Sequence, residues 1–181
     1  MSLYTHEDNI LLRKIIRGIV WFIVLISFAW FIVYAFMGQT IINGQSMSPM
    51  LHAEDVCLVD KLIYDIGDPA RYDVVLFERA DTGKANVKRV VGLPGETVQI
   101  TDGQLYINGK LLDQGRFESI PLSGIAENAV ELGKDEYFVL GDNSDSSEDS
   151  RFSNIGNVKR DSIKGKLWLK IVPLSELQLV R

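Results

Sequence analysis

Cysteine and histidine are nearly missing from this chain. Its 181 residues hold one cysteine, Cys57, and two histidines, His6 and His52. A single thiol excludes an intramolecular disulfide, and a Cys/His zinc site has too few ligands to form. Positive charge is in deficit as well: 19 Lys+Arg stand against 24 Asp+Glu, a net charge of -5. A protein that wraps nucleic acid needs a basic face to neutralise phosphates, so nucleic acid is not expected as a partner. Internal repeats, low-complexity tracts and long disordered linkers are absent too. No metal or other cofactor is expected, and the chemistry must come from ordinary side chains.

What the chain does have is one long uncharged stretch. Gly18 to Gly38 reads GIVWFIVLISFAWFIVYAFMG, and about 20 such residues span the hydrocarbon core of a bilayer. A buried core helix would alternate apolar and polar faces, whereas every face here is apolar apart from Ser27. A cleavable signal peptide has a shorter apolar region ending in a small-x-small site; this run ends Tyr34-Ala35-Phe36-Met37. The expectation is a retained membrane anchor in contact with lipid. Arg13, Lys14 and Arg17 precede it and the next charge is Glu54, which puts the N-terminus in the cytoplasm. The remainder, with 16 Lys+Arg and 22 Asp+Glu, is delivered to the other side.

Beyond Thr40, short apolar or alternating runs recur between turn signals: Val56 to Val59, Val74 to Phe77, Val87 to Val91, Thr97 to Ile100, Leu105 to Ile107, Tyr137 to Leu140 and Leu167 to Val172. The body is therefore expected to be mainly β. Asn108-Gly109 between two such runs is a hairpin signal, because both residues accept positive φ. The expected division is a tail at 1–17, a transmembrane helix at 18–38 and an extracytoplasmic body at 39–181, with a small inserted β subdomain at 101–135.

Three segments of the body are unusual. Asn43-Gly44-Gln45-Ser46-Met47-Ser48-Pro49-Met50-Leu51 sets a serine at a bend after a strand, which exposes its hydroxyl and aims neighbouring amides; an ordinary Ser/Pro turn has the same look. In Asn86-Val87-Lys88-Arg89-Val90-Val91-Gly92-Leu93-Pro94-Gly95-Glu96, alternation puts Lys88 and Arg89 on opposite faces, so one of them points to the core side or rim. A desolvated lysine loses its proton readily and then serves as a base; a solvated edge strand is the plainer reading. Gly141-Asp142-Asn143-Ser144-Asp145-Ser146-Ser147-Glu148-Asp149-Ser150-Arg151 suits a loop held by its own hydrogen bonds. Asp142, Asn143, Asp145 and Asp149 are oxygen ligands in type, yet the segment lacks the central glycine of a helix-loop-helix calcium site. Histidine-based catalysis would rest on His52, only six residues from Ser46 and without an orienting acid pattern. Cys57, inside the apolar run Val56 to Val59, reads as core.

Taken in order behind one N-terminal anchor, these segments resemble the type I (bacterial) signal peptidase family. SMSPML resembles its nucleophile box, RYDVVLF (Arg71 to Phe77) a structural strand box, VKRVVGLPGE its lysine box and GDNSDSSEDSR its C-terminal box. The resemblance implies a signal-peptidase-like β-barrel or sheet body, and a serine endopeptidase that cleaves signal peptides from exported precursors after small residues at the -3 and -1 positions. It implies Ser46 as nucleophile, with its own amide as an oxyanion donor, and Lys88 as general base. Ser147 would hydrogen-bond Lys88, Asp149 and Arg151 would pair, and Asp142 would hold the loop. Ile42, Met47 and Val87 would line the pockets of a substrate lying as an added strand. The chain departs from the family pattern with Met50 for threonine, Tyr72 for glycine and Ser144 for arginine. At Gly44 some members carry a serine that supplies the second oxyanion donor, and others carry glycine. A self-cleaving repressor-type protease would lack an anchor and carry a DNA-binding domain. The rival from another class is a non-catalytic relative serving as a membrane-bound assembly or chaperone factor, which loss of Ser46 or Lys88 would have signalled.

Overall fold

The computed structural model describes residues 4–112, 117 and 119–180, with the backbone alone for residues 4–9 and 32–37. It divides into two units, 1–37 and 38–181.

The first unit is helix α1, Tyr4–Phe36. Its described side chains from Ile19 to Phe31 include Trp21, Phe22, Leu25, Phe28 and Trp30, all exposed. Among the described residues no helix is long and apolar enough to cross a membrane. The expected span Gly18 to Gly38 runs past that description, because the side chains of 32–37 lie outside it and Gly38 already belongs to a strand.

The second unit is built on strands β1 (Met37–Ile41), β2 (Val56–Asp60), β3 (Val74–Glu78), β4 (Ala85–Gly92), β9 (Glu136–Leu140), β10 (Val158–Lys159), β11 (Ile163–Val172) and β12 (Gln178–Leu179). They form one sheet in the order β1-β2-β11-β3-β4-β9-β10, with β12 on β11. Its path ends at β1 and β10, so the described body is an open sheet rather than a closed barrel. Pairing is antiparallel from β2 to β10.

Period-2 alternation sorts the apolar residues into two layers. Val74 joins Ile42, Met47, Leu51, Cys57, Val59, Leu167 and Val180 on one face. Its neighbour Val75 joins Phe77, Val90, Val139, Tyr137 and Ile163 on the other. β-branched and aromatic residues, which fit a pleated, half-buried surface, make up the second layer, whereas the first mixes valine and isoleucine with Met47, Leu51, Cys57 and Leu167.

Between β4 and β9 the chain leaves this sheet to form a second one, from β5 (Thr97–Thr101), β6 (Gln104–Ile107), β7 (Lys110–Leu111) and β8 (Val130–Glu131) in the order β7-β6-β5-β8. Two-residue hairpins build it: Asp102-Gly103 joins β5 to β6 and Asn108-Gly109 joins β6 to β7, all four residues at positive φ. This sheet begins at Thr97, ahead of residue 101 where the sequence pattern starts the insertion. Periodicity marks β5 as a strand and is silent on which sheet receives it. Val98, Ile100, Leu105 and Ile107 pack with Val91, Phe138 and Leu140, so the two sheets share a core. Gly92 sits where they meet, and a Cβ there would collide with Val98, Leu132 and Phe138.

Candidate active site

Ser46 lies in the loop between β1 and β2. Gly44, at φ +85°, turns the chain into it. Met47 and Leu51 are fully buried and anchor it from below, while Ile42 and Asp55, bonded backbone to backbone at 2.9 Å, close its base. The Ser46 carbonyl accepts from the Asn143 amide at 3.0 Å, which ties the loop to the segment after β9. Among the described residues no acceptor takes the Ser46 amide. That N–H is thereby available to an acceptor from outside the protein, as an oxyanion donor must be.

Lys88 reaches this serine from β4. The strand places it opposite Val75, on a packed face, and it is 4% exposed. Its Nζ donates to Ser46 Oγ at 2.8 Å. Burial pulls the amine down from its ordinary range to about 8; the carboxylates of Asp149 and Glu148 oppose that shift, and the guanidinium groups of Arg79 and Arg151 add to it. An amine so placed is neutral in a useful fraction near neutral pH and can then accept the serine proton.

Arg89, the next residue, points the other way and is also fully buried. It forms a two-pronged pair with Asp142, Nε to Oδ1 and Nη2 to Oδ2, each 2.6 Å. Nη1 donates to the Tyr72 carbonyl at 2.7 Å, and Nη2 also donates to the Met50 sulfur at 3.1 Å. A planar, forked, always charged side chain is suited to such a set. Two departures from the family pattern thus meet on one guanidinium, and Tyr72 holds φ +74°, a left-handed conformation that a glycine adopts more readily. The role of Arg89 is not visible in the sequence. Its partner is 53 residues away, and the only signal was the pairing of two adjacent cations on a strand with two buried faces.

Asp149, fully buried, is the hub of the C-terminal loop. It accepts from Gly141 N at 3.0 Å, from Ser147 Oγ at 2.6 Å and from Arg151 Nε at 2.8 Å. Arg151 in turn donates to the Leu122 and Ser144 carbonyls, at 3.1 and 2.9 Å. Two of the loop's carboxylates, Asp142 and Asp149, are therefore taken by buried arginines. Ser147 differs from the expectation: it is buried beside the site, yet its hydroxyl proton goes to Asp149, and the hydrogen bond of Lys88 goes to Ser46. The Ser147 hydroxyl gives its one proton to the buried Asp149 carboxylate, the strongest acceptor in reach, and among the described residues its oxygen accepts nothing from Lys88. Gly141 packs against Ser147 and the Ser46 carbonyl so closely that a Cβ would overlap both.

Beside the pair runs a small cleft of about 60 Å³, lined by Thr40 to Asn43, Ser46, Met47 and Ala85 to Lys88. Ile42 and Met47 belong to one apolar cluster, with Val87 half-buried against it. The Ala85 to Lys88 half of β4 pairs with β3 on one side, while the β9 ladder begins only at Arg89, so among the described residues no strand pairs with its other edge. His52 makes no hydrogen bond to Ser46 among the described residues; its amide donates to Asp55. Cys57 is buried in the core, and burial lifts its thiol to about 11.

This fold and this notch have the form of a serine peptidase whose base is a lysine. A family model described as signal peptidase, peptidase S26 matches residues 15–172. The chain belongs to that family. Among its relatives, the probable signal peptidase I-2 of Synechocystis is 33% identical over 77% of this chain and 65% of that protein. Signal peptidase I U of Bacillus subtilis is 32% identical over 92% of each chain. Signal peptidase I T of the same organism is 36% identical over 76% of this chain and 75% of its own length. The chain thus spans just under two thirds of the Synechocystis relative and nearly all of signal peptidase I U.

The buried amine has a cost in stability whose sign follows from its lowered pKa. Between about 8 and the ordinary 10.5 the unfolded chain binds more protons than the folded one, so stability rises with pH there. Below about 8 the penalty is fully present, on the order of 3 kcal/mol. Lys88→Met, similar in shape and uncharged, is expected to raise the melting temperature at pH 7 and to lose that advantage above pH 10. Calorimetry across this range checks it; an unchanged or lower value at pH 7 would contradict the burial cost.

Proposed function

We propose that this chain is a type I signal peptidase that removes N-terminal signal peptides from exported precursors, cutting after small residues at -3 and -1. The observation that carries this reading is the 2.8 Å contact between Ser46 Oγ and the buried Lys88 amine. Neutral Lys88 takes the proton as Ser46 attacks the scissile carbonyl. The oxyanion forms toward the Ser46 amide, the carbon–nitrogen bond breaks, and Lys88 returns the proton to the leaving amine. Water, deprotonated by the same lysine, then hydrolyses the ester and frees Ser46. Arg89, Asp142, Asp149, Arg151 and Ser147 hold the two loops and the strand in register and leave the chemistry to the pair.

That edge at Ala85 to Lys88 suits a substrate that adds as a strand, with its -1 and -3 side chains toward Ile42, Met47 and Val87. A cleft of about 60 Å³ favours small groups there. Residues 18–38 serve as a membrane anchor with a cytoplasmic N-terminus and an extracytoplasmic body. In support, large apolar side chains from Ile19 to Phe31 are exposed one after another, an arrangement costly in water and natural in lipid.

Cleavage of a synthetic precursor by wild type, Ser46→Ala and Lys88→Ala tests the chemistry. Each variant is expected to lose about 10³-fold or more in kcat/KM, and the wild-type profile should rise along an acidic limb centred near 8. Full activity of either variant, or an inert wild type, would defeat it. The anchor is checked separately by alkaline carbonate extraction of membranes: the chain should stay in the pellet, and release into the supernatant would contradict anchoring.

A further inference from the structure

The cleft has a second wall that the small-residue rule does not use. On β4, Val87 faces the Ile42 and Met47 cluster, whereas Asn86 and Lys88 face the other side. Asn86 sits opposite Phe77, which is almost fully buried in the core on that face. Asn86 is half-buried and lines the cleft. Among the described residues its carboxamide makes no hydrogen bond, although neighbouring polar side chains are well supplied: Lys88 has Ser46, and Arg89 has Asp142, Tyr72 and Met50. Asn86 is not one of the buried polar atoms left without a partner, so solvent reaches its amide, and a substrate side chain that covers it must replace that solvent hydrogen bond.

A substrate added to the Ala85 to Lys88 edge of β4 obeys the same alternation as the strand it joins. If its -1 and -3 side chains face Val87, its -2 side chain must face the other way, beside Asn86. From these placements we infer that Asn86 is a specificity-determining residue that recognises the -2 side chain and favours one able to hydrogen-bond, such as threonine or glutamine, over an apolar residue of the same shape. This deepens the reading of the chain as a signal peptidase and rests on it. The carboxamide both donates and accepts, so it accommodates a hydroxyl or an amide in either orientation. Discrimination arises because an apolar -2 residue covers the amide and leaves it unsatisfied.

The test uses the full chain in membranes and synthetic precursors that differ only at -2, as Thr/Val and Gln/Met pairs, with alanine kept at -1 and -3. Wild type is expected to prefer the polar member of each pair by about three- to tenfold in kcat/KM, the worth of one hydrogen bond. In Asn86→Val that ratio should collapse to about one or invert. Asn86→Asp supplies a second readout, in which a -2 lysine should overtake a -2 methionine; any effect of the new charge on Lys88 acts on both substrates and cancels in the ratio. Equal cleavage of the paired precursors by wild type would overturn the inference while leaving the peptidase reading standing, and so would a ratio that survives in Asn86→Val. If no precursor is cut by wild type, the peptidase reading fails and the inference falls with it.

Discussion

An amine buried against a hydroxyl is the constraint on which the rest of this body turns. Lys88 is 4% exposed and its nitrogen lies 2.8 Å from Ser46 Oγ. Desolvation disfavours the ammonium form, so the same packing that costs stability creates a base. The surrounding sheet must therefore do two things at once. It has to keep water off the amine, and it has to stop the carboxylates nearby from restoring its proton affinity.

The arrangement of arginines meets the second requirement. Asp142 is engaged by Arg89 through two 2.6 Å bonds, and Asp149 by Arg151 through its Nε at 2.8 Å. Glu148 turns outward to Arg79 at 2.5 Å. Each acid near the lysine thus has a cation closer than Lys88 to answer. The same pairs carry the mechanical load: Arg89 binds β4 to the loop after β9, Arg151 binds that loop to Leu122 in the segment before β8, and the Asn143 amide holds the Ser46 carbonyl. Gly141 lets these pieces touch. Removing one member of such a buried pair leaves an uncompensated charge, which makes the network cooperative.

Some of this was open to reading from the residues alone. The Asn108-Gly109 hairpin follows from two residues that accept positive φ, and the mainly β body follows from short apolar or alternating runs set between turn signals. Ser46 and Lys88 taken singly look like a turn serine and an edge-strand lysine; the ordered company of four segments drew them together. The pairing of Arg89 with Asp142 was not legible, because contacts across 53 residues depend on which strands become neighbours. Nor was the direction of the Ser147 hydroxyl, whose proton goes to the buried carboxylate of Asp149. The membership of β5 in the second sheet was hidden for the same reason: a strand's pattern names its faces and leaves its partners open.

The central claim is that burial makes Lys88 a base near neutral pH. Its most direct test is a nuclear magnetic resonance titration of the Lys88 side chain, labelled at Nζ and Cε, in the full chain held in detergent micelles. The account predicts a midpoint near 8, well separated from the bulk of the lysines. A Lys88 midpoint at the ordinary 10.5 would contradict it.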